Sequence, residues 1–136
     1  MAKKPSESTT TTSPCHCGSG DDYVTCCGQY IAEGQPCPTA EALMRSRYTA
    51  FVRGEEAYLL ATWHPETRPS RVRLDERQRW LGLQVRATEA GGEGDTTGTV
   101  EFVARYKIDG RGTRLHEISR FERLEGRWHY LDAQHL

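Results

Sequence analysis

The sequence predicts an α+β domain, in which helices precede a curved, mainly antiparallel sheet, with a small cysteine-rich knuckle in front of it. Three observations predict this arrangement. Apolar residues recur at helical spacing between residues 39 and 63, they alternate with polar residues from Leu83 onward, and four of the five cysteines lie within residues 15–28. A chain of 136 residues has room for one such domain and an appendage.

The N-terminal residues 1–14 are predicted to form a disordered tail. Met1 and Ala2 are the only residues of this segment with aliphatic or thioether side chains, so the segment cannot bury enough apolar area to offset the entropy lost on ordering. The knuckle follows over residues 15–28. We expect a linker over residues 29–38 and the α+β domain over residues 39–136.

The knuckle sequence CHCGSGDDYVTCCG places Cys15, Cys17, Cys26 and Cys27 in the spacing C-x-C-x8-C-C. Four thiolates give a zinc ion a closed tetrahedral site, and a bound ion cross-links a segment that is too small to fold alone. The spacing therefore predicts one structural zinc ion with these four ligands.

Other interpretations of the cysteines remain open at this stage. The thiols could be reduced and unliganded, or two of them could form a disulfide, although a bridge between the adjacent Cys26 and Cys27 would be strained. His16 could replace one sulfur ligand. Cys37 lies outside the cluster, and we interpret it as a bystander.

The first half of the α+β domain is predicted to be helical. A first helix begins after Thr39 as N-cap and ends at Gly54. A second helix covers about Glu55 to Trp63. A third helix is predicted to start at Asp75, because Gln78 would complete a capping box three residues later.

The second half is predicted to form strands, beginning at Leu83 and continuing over about 99–108, 113–124 and 127–134, with tight turns at Asp109-Gly110 and Glu125-Gly126. The last turn pairs Leu124 with Arg127, and hence Phe121 with Tyr130 and Ser119 with Asp132.

The turn near Asp109 is predicted to set Tyr106 opposite Leu115. One face of the sheet is then mostly apolar, and we expect it to meet the helices. It carries Val100, Phe102, Ala104, Tyr106, Leu115, Phe121, Trp128 and Tyr130.

Three polar side chains on this apolar face are candidate functional residues: Glu117, Ser119 and Asp132. Carboxyl groups among aromatic side chains are poorly solvated, so their pKa values can rise toward the range used in catalysis. The alternative is structural. Ser119 and Asp132 would then form hydrogen bonds across the hairpin, and Glu117 would pair with Arg45 or Arg47 of the first helix.

Composition excludes several classes of protein. Hydrophobic residues make up 36% of the chain, and no apolar run approaches the roughly 20 residues of a membrane span. The formal net charge of −1 gives the whole molecule no long-range attraction to nucleic acid or anionic lipid. We expect a soluble cytoplasmic protein.

Several segments resemble known bacterial families. Residues 15–27, CHCGSGDDYVTCC, resemble the SEC-C metal-binding motif, which is also found at the C-terminus of the SecA translocation ATPase. Four further segments resemble the uncharacterised YchJ family: LMRSRYTAF (43–51), TWHP (62–65), LHEISRF (115–121) and GRWHYLD (126–132). That family is similar to the nuclear transport factor 2-like superfamily, which implies a cone of helices packed on a curved sheet and hosts both enzymes and binding proteins.

The knuckle departs from the SEC-C pattern at two places. His16 stands where the motif usually has proline, and Asp21 and Asp22 stand where lysines are common. Four thiolates on a divalent ion already carry a formal charge of −2, so this knuckle is expected to repel phosphate. The nucleic-acid contacts that the SecA resemblance implies are therefore not expected here.

Two functional hypotheses follow from the sequence. In the first, the protein is a non-enzymatic binding or adaptor protein with a protein partner, and a small molecule can occupy the cone. In the second, it is an isomerase or dehydratase that uses Glu117 or Asp132 as base and His64 or a tyrosine as partner. His64 could instead only end a helix before Pro65. An open pocket that reaches Glu117 and Asp132 would favour the enzyme.

Overall fold

A computed structural model describes residues 13–136 of the chain. Most of the predicted tail lies outside these residues. Its last two residues belong structurally to the knuckle, because Pro14 forms an isolated antiparallel bridge with Asp22 and the carbonyl of Ser13 accepts a 2.8 Å hydrogen bond from the Tyr23 backbone N–H.

The knuckle contains a short 3-10 turn, Tyr23–Thr25, and a single turn of helix, α1, Gly28–Ile31, extends it three residues into the predicted linker. These two pieces pack closely. A Cβ atom at Gly28 would lie 2.7 Å from the Tyr23 carbonyl oxygen, so only glycine fits where α1 begins.

Two helices follow, α2 over Ala40–Arg53 and α3 over Glu56–Ala61. The ends of α2 confirm the sequence prediction. The Thr39 side chain accepts a 3.0 Å hydrogen bond from the Ala42 N–H, and Gly54 ends the helix in the left-handed region with φ of 76°.

The shorter second helix ends where the chain joins the sheet. The Tyr130 N–H donates to the Thr62 carbonyl at 2.8 Å, and the His64 N–H donates to the Tyr130 carbonyl at 2.7 Å. Trp63 thereby forms a parallel bridge with Tyr130, which extends the sheet by one short segment and stops α3 before the predicted end.

Within residues 13–136 the sheet has four antiparallel strands in sequential order: β1, Gln78–Ala90; β2, Thr97–Ile108; β3, Arg111–Leu124; and β4, Arg127–His135. Two register shifts in β1, between Trp80 and Gly82 and between Val85 and Ala87, bend this strand. Among residues 13–136, no helix combines the length and the apolar character that crossing a membrane requires.

The predicted third helix is wrong, because Gln78 already belongs to β1. The Asp75 side chain accepts a hydrogen bond from the Arg77 N–H at 2.9 Å, so it forms a local turn instead of a helix cap. Trp80 pairs with Tyr106 across β1 and β2 and packs its ring 5.4 Å from that of Tyr48. Burial of this indole against the sheet and α2 outweighs the local capping pattern.

The hairpin between β3 and β4 follows the prediction only near its turn. Leu124 pairs with Arg127 and Phe121 pairs with Tyr130, as predicted. A bulge follows, and Asp132 pairs with Arg120 and not with Ser119. Because one extra residue reverses the side-chain alternation, Asp132 lies on the outer face of the sheet.

The hairpin between β2 and β3 is shifted by two residues from the predicted register. Asp109 and Gly110 form a two-residue turn with φ of 51° and 82°, and Leu115 pairs with Ala104, not with Tyr106. A shift of two keeps every side chain on its predicted face. The apolar face therefore meets α2 and forms the main core, whose buried members are Cys37, Ala40, Leu43, Met44, Tyr48, Val100, Phe102, Ala104, Phe121 and Trp128.

Candidate functional site

The four knuckle cysteines converge on one point. Their sulfur atoms all lie within 4.8 Å of one another, and the Cys17 and Cys26 sulfurs are 3.7 Å apart. All are free thiols, so the disulfide interpretation is wrong. Sulfurs bound tetrahedrally at about 2.3 Å from a zinc ion lie about 3.8 Å from one another. The cluster can therefore hold a thiophilic metal ion, and His16 remains an exposed neighbour outside it.

Local backbone structure sets this convergence. A turn closed by the Gly18 N–H and the Cys15 carbonyl at 3.2 Å brings the first cysteine pair together, with Gly18 at φ of 81°. The 3-10 turn then leads to Cys26, whose N–H donates to the Tyr23 carbonyl at 3.0 Å. Cys27 directly precedes α1, so the second pair is fixed by the start of a helix.

The sulfurs influence one another's protonation. A hydrogen bond from the Cys27 thiol lowers the pKa of Cys17 to about 4, and Ser19 adds to this effect. The same hydrogen bond raises the pKa of Cys27, whereas burial raises the pKa of Cys26. Closely packed thiols share protons in this way, and a metal ion that binds them as thiolates displaces those protons.

Helix α2 contributes three residues to the knuckle. The buried Thr49 hydroxyl donates to the Cys27 sulfur at 3.3 Å and lies 3.6 Å from the Cys15 sulfur. Arg45 donates to the Cys17 carbonyl at 2.9 Å, and the Arg53 guanidinium lies 4.1 Å from the centre of the Tyr23 ring. Sequence reasoning missed these contacts, although a spacing of four residues places all three side chains on one face of a helix.

A cavity of about 170 Å³ lies between α2 and the inner face of the sheet. Most of its wall is apolar and comprises Met44, Phe51, Trp80, Phe102, Ala104 and Leu115. The polar groups on its wall belong to Arg47, Glu117, Ser119, Tyr48, Tyr130 and Trp63.

Arg47 is buried beside this cavity, with 4% of its surface exposed. Its Nη1 donates to the Leu59 carbonyl at 2.8 Å and to the Thr62 hydroxyl at 2.7 Å. Its guanidinium carbon lies 4.9 Å from the centre of the Trp63 ring and 4.6 Å from that of Tyr130. Burial lowers the pKa of Arg47 to about 10.

The predicted pairing of Glu117 with an arginine of the first helix is wrong. The Glu117 carboxylate contacts His135 Nδ1 at 2.8 Å, because these two residues are paired across β3 and β4. Arg45 instead forms an ion pair with Glu41 at 2.9 Å. Glu117 itself lines the cavity, and 13% of its side chain is exposed.

The two other predicted catalytic residues do not contribute to the cavity wall. Asp132 forms a bidentate ion pair with Arg120 on the outer face, at 2.7 and 2.6 Å, and these hydrogen bonds lower the pKa of Asp132. His64 is buried and has both ring nitrogens engaged. Its Nδ1 accepts from the Glu66 N–H at 3.1 Å, so its Nε2 donates to Glu122 at 2.6 Å. Of the candidates named by number, Glu117 and Ser119 lie at the cavity, and the tyrosines that line it are Tyr48 and Tyr130.

Known proteins are similar to this chain over most of its length. The family model described as YchJ, middle NTF2-like domain, matches residues 39–133. A UPF0225 protein from Chromobacterium violaceum is 54% identical over 123 residues, which span 88% of this chain and 90% of the relative. A UPF0225 protein from Streptomyces coelicolor is 53% identical over 125 residues, spanning 92% and 98% of the two chains.

Two solved structures are similar over most of the chain. The solution structure of a SEC-C motif containing protein from Rhodopseudomonas palustris has a TM-score of 0.80 and 34% identity, covering 91% of this chain and 99% of that one. The crystal structure of a SEC-C motif containing protein from Psychrobacter arcticus has a TM-score of 0.71 and 27% identity, covering 89% and 80%.

Proposed function

This chain belongs to the YchJ family of NTF2-like, SEC-C motif proteins, and from that premise we propose that it is a zinc-binding, non-enzymatic binding protein. The zinc ion would be held by Cys15, Cys17, Cys26 and Cys27. Bound there, zinc would supply a structural cross-link and no open coordination position for a reactant.

The observation that carries this proposal is that one helix serves both parts of the molecule. Thr49 and Arg45 of α2 contact the cysteine cluster, whereas Met44, Arg47 and Tyr48 of the same helix line the cavity. A metal ion that rigidifies the knuckle would therefore also hold one wall of the cavity in place.

The choice of a binding role over an enzymatic one rests on the cavity wall. Its described carboxylate, Glu117, is already paired with His135. The other candidate base, Asp132, and the candidate partner His64 form their contacts elsewhere. An isomerase or dehydratase mechanism needs an acid and a base that both reach the reactant. In the enzymatic alternative, Glu117 as base and a tyrosine of the cavity wall, Tyr48 or Tyr130, as partner would have to supply that pair.

The zinc site is tested by the metal content of the purified full-length protein. We expect one equivalent of zinc per chain and X-ray absorption that reports sulfur neighbours at about 2.3 Å. Replacing the four cluster cysteines by serine should abolish the zinc, whereas Cys37→Ser, a matched control outside the cluster, should retain it. Zinc near one equivalent in the fourfold variant would refute the assignment.

A protein partner is the second part of the proposal, and the knuckle is the surface we propose for it. Val24 is 57% exposed in the knuckle, whereas Leu81, with a similar exposure of 56%, lies on β1. Cross-linking in the native host should capture a partner with the wild-type chain and with Leu81→Asp, and lose it with Val24→Asp. Equal capture by both variants would exclude the knuckle as the contact surface.

A further inference from the structure

Arg47 is a buried cation that has no anionic partner among the described residues. The only hydrogen bonds that its guanidinium makes there come from Nη1, to a carbonyl and a hydroxyl oxygen. Arginine carries five N–H groups, so the N–H of Nε and the two of Nη2 lack an acceptor within the described chain. A buried charge without a counterion is costly, and proteins retain one only where something compensates it.

The contacts already present compensate this charge only in part. The Trp63 and Tyr130 rings offer their negative faces, and the Leu59 carbonyl lies in the last turns of α3. These are partial charges. They also leave Nε and Nη2 without an acceptor. Neither of these two atoms is fully enclosed, unlike Arg123 Nε, which is enclosed and has no partner in the described chain. Because Arg47 lines the cavity, a molecule inside the cavity can reach these N–H groups.

The size and lining of the cavity limit what that molecule can be. A volume of about 170 Å³ is close to that of apolar protein cavities of about 150 Å³ that hold a benzene molecule. The walls around Arg47 are aromatic and aliphatic, from Phe51, Trp80, Phe102 and Leu115. One ring-sized apolar body therefore fits, with a single anionic group.

The planar fork of arginine matches a carboxylate, which can accept two parallel hydrogen bonds from Nε and Nη2. Ser119 and Tyr130 supply further hydroxyl groups on the wall. A second negative charge on the molecule would meet Glu117 instead of a cation. These features favour a monoanion over a dicarboxylate or a phosphate dianion.

We propose that this cavity binds a small aromatic or branched monocarboxylic acid as its anion, with the carboxylate held by Arg47. This inference rests on the proposed binding function and names the ligand class for it.

Calorimetric titration of the full-length, zinc-loaded protein with benzoate and with benzamide tests the inference. The two probes have nearly the same shape and differ in charge. We expect saturable benzoate binding at least about tenfold tighter than benzamide binding, since a hydrogen-bonded charge pair replaces neutral hydrogen bonds. In parallel, the indole N–H resonance of Trp63, whose ring lies under the guanidinium, should shift on addition of benzoate.

Variants of opposite expected effect make the test specific. Arg47→Met should remove the preference for benzoate, and Arg105→Met, at an exposed arginine of β2, should leave it unchanged. Glu117→Gln should tighten benzoate binding severalfold, because it removes a like charge from the cavity wall. If Arg47→Met does not fold, the Glu117→Gln result decides, and an unchanged or weaker affinity there refutes the inference.

The outcomes separate this inference from the proposed function. Equal affinities for benzoate and benzamide would overturn the anion assignment and leave a binding role in place. If none of the four molecules benzoate, benzamide, acetate and isobutyrate binds saturably, the proposed ligand class is wrong. The zinc assignment is tested independently by metal content.

Discussion

Replacing Thr49 by valine tests whether the cysteine cluster binds a metal ion and whether that ion stabilises α2. The substitution keeps the shape of the side chain and removes a hydroxyl that is 0% exposed and donates to the Cys27 sulfur at 3.3 Å. With a metal ion bound, the acceptor is a charged thiolate. Loss of this hydrogen bond should then lower the free energy of unfolding by about 1.5–3 kcal/mol.

The metal-free protein should respond less to the same substitution. Without a metal ion the pKa of Cys27 is raised, so its sulfur is a protonated and weakly accepting thiol. We expect a loss of at most about 1 kcal/mol in that state. For a domain of this size, the metal-bound variant should melt roughly 6–12 °C below the wild type.

The assay is urea unfolding of wild type and variant, each with zinc and after chelation. Thr25→Val is the matched control, because its hydroxyl donates to the Asp22 carbonyl at 3.3 Å and not to a sulfur. It should show a small change with zinc and no larger change after chelation. Equal losses for Thr49→Val with and without zinc would refute the link between the metal ion and α2.

Three further predictions concern other parts of the molecule. Glu117→Gln should change the free energy of unfolding at pH 7 by less than about 1 kcal/mol, because its partner His135 is 77% exposed. A loss of several kcal/mol would instead indicate that Glu117 belongs to a buried ion pair. Chelation of the metal should raise amide hydrogen exchange in residues 15–31 and leave β2 and β3 protected; collapse of all segments together would show that the knuckle and the domain unfold as one unit. Arg120 lowers the pKa of Asp132, so the contribution of Asp132 to folding stability is present above the unfolded pKa of about 3.9 and is lost as pH falls through the lower folded pKa. Asp132→Asn should therefore flatten the acid limb of the curve of stability against pH, and an unchanged limb would contradict this.

The features that sequence reasoning predicted correctly are governed by neighbours in the chain. The convergence of the four cysteines, the Thr39 cap and the turn at Glu125-Gly126 each depend on residues close together in the chain. The same reasoning failed at Asp75, where a local capping pattern is also present, because the burial of Trp80 against distant residues decides the structure there.

The position of Asp132 shows why the candidate site could not be completed from sequence. Its face depends on a bulge near Leu131, whose carbonyl accepts a 2.6 Å hydrogen bond from Thr67, far away in sequence. The loop that carries Thr67 is placed in turn by the bridge between Trp63 and Tyr130. No pattern within β4 encodes this contact. Arg47 was named only as a partner for Glu117, since its burial and its neighbours depend on how α2 meets α3.

Helix α2 carries two sets of contacts whose angular positions are fixed relative to each other. Thr49 points to the cysteine cluster and Arg47, two residues earlier, lines the cavity. Each residue of an α-helix advances the side-chain direction by about 100°. Insertion or deletion of one residue between Arg47 and Thr49 would turn one set away from its target, however well the new helix is capped. This part of the chain should therefore tolerate exchange of side chains far better than any change of its length.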